Sequence, residues 1–307
     1  LRRPAFPVDH VEKVRGEMLT GIAQRDQNTG AVASMTFDEL AYPGHPYGVA
    51  EDGYPDTLRA ITRDDLIEFH RRHFGPRDML IVVVGGLPAA QAIALAEQTF
   101  GDWVNPEQPP EPVLPALAPL EGIRERRMTL AGKSQSDLVL GVPAMPRSDP
   151  DFLPALLGNN ILGRFGMFGR IGDAVREAAG LAYYSYSSLS GGMGPGPWEV
   201  IAGVNPANVD RTVELMREEM RKFTAKKVTA AELLDNQANF IGRLPLQLES
   251  NEGVAGAILN TALYALGLDH YQRLPGMIAA VTRESLLEVA RKYLDADRYI
   301  LAVAGPG

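Results

Sequence analysis

Two stretches decide the fold: Ile61-Thr-Arg-Asp-Asp-Leu-Ile-Glu-Phe-His-Arg-Arg-His-Phe74 and Val281-Thr-Arg-Glu-Ser-Leu-Leu-Glu-Val-Ala-Arg-Lys-Tyr-Leu294. In each, a threonine able to cap a helix is followed by acids in the first turn, by aliphatic residues at helical spacing and by basic residues near the end. That is the pattern of an amphipathic helix with its dipole complemented at both termini. An apolar run follows both: Met79-Leu-Ile-Val-Val-Val84, stopped by Gly85-Gly86, and Tyr299 to Ala304, stopped by Gly305. Amphipathic helices can match by chance. A shared cap followed by a shared strand argues instead for two domains of one kind, each closing with the same helix and strand.

Working outward, Pro7 to Arg25 reads as a helix, with Val8, Val11, Val14, Met18, Leu19 and Ile22 at helical spacing. A shorter helix is expected over Ala33 to Tyr42, then a loop at Pro43-Gly-His-Pro-Tyr-Gly48, and a further helix from Pro88 to Phe100. Helix, strand and helix on one sheet make an α/β or α+β layer. The proline-rich segment Asn105 to Pro119 reads as an extended linker, which divides the chain into residues 1–104 and 120–307. Beyond it, strands are expected at Arg124 to Leu130, Asp137 to Val142, Leu181 to Ser190 and Trp198 to Val204, the last two as a hairpin. Helices are expected at Asp149 to Leu162, Phe168 to Ala178, Asn208 to Phe223, Thr229 to Leu248, Asn251 to Leu266, His270 to Ala280 and Thr282 to Tyr293.

The composition is that of a globular chain of about two domains: 307 residues, 45% hydrophobic and 22% charged. A net charge of -8 without a basic block argues against nucleic acid and against an anionic membrane as partner. No apolar run approaches the roughly 18 residues needed to span a bilayer. Absence of cysteine excludes disulfides and thiolate metal sites and leaves the compartment open. The working expectation for location is periplasmic rather than cytoplasmic. The opening Leu1-Arg-Arg-Pro-Ala-Phe-Pro-Val8 has no methionine and no signal-peptide core, so a fragment or processed form is expected.

The chemistry-bearing segment is Gly169-Arg-Ile-Gly-Asp-Ala-Val-Arg-Glu-Ala-Ala-Gly-Leu-Ala-Tyr-Tyr184. It reads as a helix ended by Gly180 in a left-handed cap and turning directly into a strand. Arg176 falls in the last helical turn and Tyr183 in the following extended run, so two strong donors flank one junction. Such a pair suits gripping a peptide backbone. The plainer alternative is that Arg176 complements the helix dipole while Tyr183 packs a sheet.

Val175-Arg-Glu-Ala-Ala-Gly-Leu-Ala-Tyr183 resembles the arginine/tyrosine motif of the pitrilysin/insulinase-type inverted-zincin metallopeptidases, and His45-Pro-Tyr-Gly48 resembles a segment common in that family. The resemblance covers nearly the whole chain. It implies an α+β fold of two related domains, each a mostly antiparallel sheet with helices on one face. Residues 1–104 would be the later part of the first domain and residues 120–307 a complete second domain. It further implies that strands and an H-x-x-E-H helix would precede residue 1, and that Arg176 and Tyr183 bind substrate and stabilise the transition state. In active members the helix corresponding to Val11-Glu-Lys-Val-Arg-Gly-Glu-Met-Leu-Thr-Gly-Ile22 carries two glutamates seven residues apart, the second a zinc ligand; here Val14 and Gly21 stand at those positions. Neither offers a lone pair to zinc. The resemblance therefore implies a zinc-free subunit of a two-chain bacterial peptidase, inactive alone, with no cofactor of its own. Its expected partners are a homologous zinc-bearing subunit and a peptide substrate. An inactive scaffold subunit of a larger assembly is the alternative.

Other features weigh less. His70 and His73 lie three apart on a helix, but Arg71 and Arg72 between them would repel a cation. His45 reads as a loop hydrogen-bonder, and His10 and His270 as residues near helix starts. Gly191-Gly-Met-Gly-Pro-Gly-Pro197 links strand to strand, where a phosphate-binding loop would open a helix. It is expected to be a flexible hairpin tip, serving either as a lip of the substrate cleft or as a plain turn.

Overall fold

A computed structural model describes residues 1–164 and 169–307; Phe168, the first residue of one expected helix, lies outside them. In chain order the described helices are α1 (Val8–Arg25), α2 (Thr29–Ala41), α3 (Pro55–Ala60), α4 (Arg63–His73), α5 (Ala89–Phe100), α6 (Phe152–Gly163), α7 (Gly169–Ile171), α8 (Val209–Ala225), α9 (Ala230–Gln247), α10 (Asn251–Leu263), α11 (His270–Ala279) and α12 (Arg283–Tyr293). The strands are β1 (Arg124–Thr129), β2 (Ser136–Pro143), β3 (Ala182–Leu189), β4 (Pro197–Val204) and β5 (Ile300–Gly305). These form two compact units interleaved along the chain. One comprises Leu1–Gln24, Ala50–Leu114 and Leu244–Tyr271; the other comprises Arg25–Val49, Pro115–Arg243 and Gln272–Gly307.

In the first unit, Arg15 of α1 pairs with Glu12 at 3.1 Å and donates to the Leu58 carbonyl at the end of α3. Thr62 and Asp65 cap α4 reciprocally, and Arg63 donates to the Phe6 carbonyl at 2.7 Å. The run Met79–Val84, expected to be a strand, is not one. Its backbone pairs with no neighbouring strand among the described residues, and Leu80, Ile81 and Val83 are exposed. An apolar run can supply the side chains of a strand, but the ladder exists only through a partner's main-chain groups.

The second unit is built on a five-stranded sheet in the order β1-β5-β2-β4-β3, in which only β1 and β5 run parallel. Alternation along β2 sorts its side chains onto two faces. Val139, with Ile300, Ala302 and Ala304 of β5, packs under Val32, Ala33, Phe37 and Ala41 of α2. The opposite face carries Leu138, Leu140, Trp198 and Val200 and is covered from the side of α6, α8 and α12, with the Trp198 indole donating to Asn159 of α6 at 3.1 Å. Covered on both faces, β2 is buried from Ser136 to Val142, as a doubly covered strand requires. α2 begins at Thr29, earlier than the expected Ala33, because the Asn28 side chain accepts from the Ala31 amide at 2.9 Å and starts the helix there. The expected hairpin of β3 and β4 is present, with Leu189 opposite Trp198. Of the two matched helices, α12 buries Leu286 and Ala290, whereas α4 has no buried residue.

Candidate functional site

Arg176 and Tyr183 stand at either end of one junction. After α7 the backbone widens into a π-helical stretch, Gly172–Ala178, a geometry that inserts an extra residue per turn. Arg176 lies within it, half-buried, with its Nε 3.7 Å from the Glu177 carboxyl. The stretch ends where the Leu181 amide donates to the Val175 carbonyl at 3.0 Å, and Gly180 takes φ +65°. Nothing lies within 4 Å of where a Cβ would stand on Gly180, so glycine is required there by the backbone alone. β3 then begins at Ala182 as a terminal strand of the sheet.

Pairing between β3 and β4 slips at the first residues: Ala182 is opposite Val204, but Tyr184 is opposite Gly203. Tyr183 is the extra residue of a β-bulge, without a cross-strand partner, and 61% exposed. Bulges re-aim side chains in this way near sites. Its neighbour Tyr184 does the reverse, crossing β4 so that its hydroxyl donates to Asp137 of β2. Burial, then that bond to Asp137, holds the Tyr184 phenol well above its ordinary range, so it stays a donor.

On the same face, Glu199 of β4 has its carboxyl pushed up to about 8, first by burial and second by the charge of Asp38 on α2. Sequence reading missed Asp137, Tyr184 and Glu199. Gly203 was the available signal, a glycine inside an apolar strand.

The positions where the resemblance seeks zinc ligands lie on α1. Val14 is partly exposed and Gly21 has open space beside it. The nearest carboxylates along the helix are engaged, Glu12 with Arg15 and Glu17 with Lys13 at 3.8 Å. Among the described residues, no group of three or more His, Asp or Glu is arranged to hold a metal. His70 Nε2 donates to the Leu1 carbonyl at 2.6 Å and the ring stacks on Phe74, while His73 stacks on Phe69.

His45 Nδ1 accepts from the Tyr47 amide at 3.0 Å, which sets Tyr47 toward the glycine-rich hairpin tip. There the Tyr47 hydroxyl accepts from the Gly194 amide at 3.0 Å, and a Cβ on Gly192 would lie 2.6 Å from that oxygen. The tip, expected to be flexible, is further tied by Arg147 N to Gly192 O at 3.0 Å and Ala144 N to Gly196 O at 2.7 Å.

A family model described as the peptidase M16 inactive domain matches residues 60–240. An uncharacterized zinc protease of Streptomyces coelicolor is 27% identical over 307 residues, covering 97% of this chain; the chain spans only 65% of that relative's length. A crystal structure of a peptidase M16 inactive domain from Pseudomonas fluorescens superposes with a TM-score of 0.86 at 27% identity, over 99% of this chain and 72% of that one. A protease from Helicobacter pylori superposes with a TM-score of 0.84 at 22% identity, over 97% and 72% of the respective chains, and supports the fold.

Proposed function

The chain belongs to the peptidase M16 inactive domain family, and from that premise we propose that it is the non-catalytic, substrate-binding subunit of a heterodimeric zinc metalloendopeptidase acting on unstructured peptides. The observation that carries the reading is the placement of Arg176 and Tyr183, seven residues apart, on a π-helical turn and a β-bulge joined by Gly180. Both backbone irregularities are of kinds that recur where side chains must be aimed at a ligand.

Val14 and Gly21 give a zinc ion nothing to bind, so the chain's part in hydrolysis is to hold substrate. The Arg176 guanidinium offers a planar fork of donors to peptide carbonyls, and the Tyr183 hydroxyl offers one more. The outer edge of β3 has no strand partner among the described residues, so an extended peptide can add main-chain hydrogen bonds to it with little demand on its own sequence. The net charge of -8 mildly favours basic peptides.

Titrating a short, fluorescein-labelled basic peptide with the chain and following anisotropy tests the reading. Saturable binding weakened by Arg176→Ala and by Tyr183→Phe supports it. Equal binding by wild type and both variants would direct attention to the scaffold alternative.

A further inference from the structure

Asp137 is 3% exposed, yet its carboxyl is the meeting point of three elements of the second unit. Its Oδ1 accepts from the Tyr184 hydroxyl on β3 and from Gln135 Nε2 at 2.8 Å; its Oδ2 accepts from the Thr29 hydroxyl at the first residue of α2. A buried carboxyl with three donors is a fully satisfied network, the kind that specifies one arrangement of its members. The strand registers place Asp137 opposite Gly203, and Gly203 opposite Tyr184, so the three residues form one row across β2, β4 and β3. Gly203 is what lets the row close. A Cβ there would lie 2.5 Å from Tyr184 Cε1, 2.6 Å from Gln135 Nε2 and 2.8 Å from Asp137 Oδ1. The tyrosine ring therefore passes over a strand position that must lack a side chain.

The row also locates the bulge. With Tyr184 held opposite Gly203 and Ala182 held opposite Val204, the extra residue can only be Tyr183. Moving the slip by one position would bring Tyr184 out of reach of Asp137 and hand the outward place to another side chain. Building on the reading of Tyr183 as a substrate-holding residue, we propose that Asp137 is a positioning residue, which pins Tyr184 across the Gly203 gap and thereby fixes the bulge that presents Tyr183. Thr29 extends the device to the N-terminus of α2, so that helix and edge strand are set by one carboxyl.

The test compares the wild-type chain with Tyr184→Phe, which removes only the hydroxyl, and with Gly203→Ala, which wedges the row apart while leaving every side chain that donates to Asp137 chemically unchanged. Backbone hydrogen exchange reads the bulge itself. In both variants the amides of residues 182–184 are expected to exchange about tenfold faster, the effect of losing one hydrogen bond to a carboxyl, while β2 and β5 keep wild-type protection. Unchanged exchange in both overturns the proposal. Anisotropy with the labelled basic peptide reads the consequence. Tyr184→Phe should weaken binding about as much as Tyr183→Phe, and the double variant no further than either single one, because both losses remove one contact. If Tyr183→Phe weakens binding and Tyr184→Phe does not, the positioning role is overturned. If exchange rises as expected but neither variant alters peptide binding, the bulge latch stands and the peptide-holding role of Tyr183 falls.

Discussion

Replacing Glu199 by glutamine should make the protein more stable, by a margin that grows as pH rises from about 4.5 to about 8. Glu199 lies on β4 between Gly141 and Ser188, on the face shared with Asp38 of α2, and its carboxyl is pushed from 4.5 up to about 8 by burial first and by Asp38 second. Below about pH 4.5 the folded and unfolded chains both carry the proton and the side chain costs nothing. Between about pH 4.5 and 8 the folded chain keeps a proton that the unfolded chain releases, so stability falls as pH rises. Above about 8 the cost is complete. At about 1.4 kcal/mol per pH unit the displacement amounts to roughly 5 kcal/mol, and the partial solvent access of the side chain trims this to about 3 kcal/mol. Glutamine is neutral throughout and avoids the cost. Urea unfolding with linear extrapolation, run at pH 5 and pH 9, measures it. Glu199→Gln should match wild type within about 1 kcal/mol at pH 5 and exceed it by about 3 kcal/mol at pH 9. An equal difference at both pH values would refute the reasoning, as would a wild type that is the more stable protein at pH 9.

Other perturbations follow from single contacts. Trp198 is 1% exposed and bonded to Asn159, so Trp198→Ala should cost about 3–5 kcal/mol in the same urea assay. Gly163→Ala would set a methyl 2.2 Å from the Ser187 amide nitrogen, forcing α6 off β3, with an expected loss of about 1–3 kcal/mol. Gly180→Ala meets no atom and should lose only the left-handed backbone penalty, about 1–2 kcal/mol. Added zinc should leave the thermal midpoint of the chain unchanged, since ligand binding to the folded state would raise it.

Much of the fold was legible because its signals are local. Thr62 and Thr282 each cap the helix that follows, Gly180 takes the positive φ that its place after a helix suggests, and β3 and β4 form the expected hairpin. What failed depended on partners distant in sequence. Met79–Val84 has the composition of a strand and no ladder to join, and nothing in residues 25–49 announces that α2 lies against β5 and β2, strands far along the chain. The site divides the same way. Arg176 and Tyr183 stand out in the sequence as candidates by their spacing about a glycine. The bulge, the π-helical turn and the Asp137 row were not, because each depends on register, and register is set by which strand lies alongside.

The central claim is that this chain contributes substrate contacts to a peptidase whose metal is held elsewhere. Its most direct test is to mix the chain with a homologous zinc-bearing subunit and measure kcat/KM for an unstructured peptide. Neither chain alone should cleave, the mixture should, and Arg176→Ala in this chain should lower the mixture's rate about 10²-fold, the usual effect of removing a transition-state donor. Full activity of the mixture with Arg176→Ala, or cleavage by this chain alone, would contradict it.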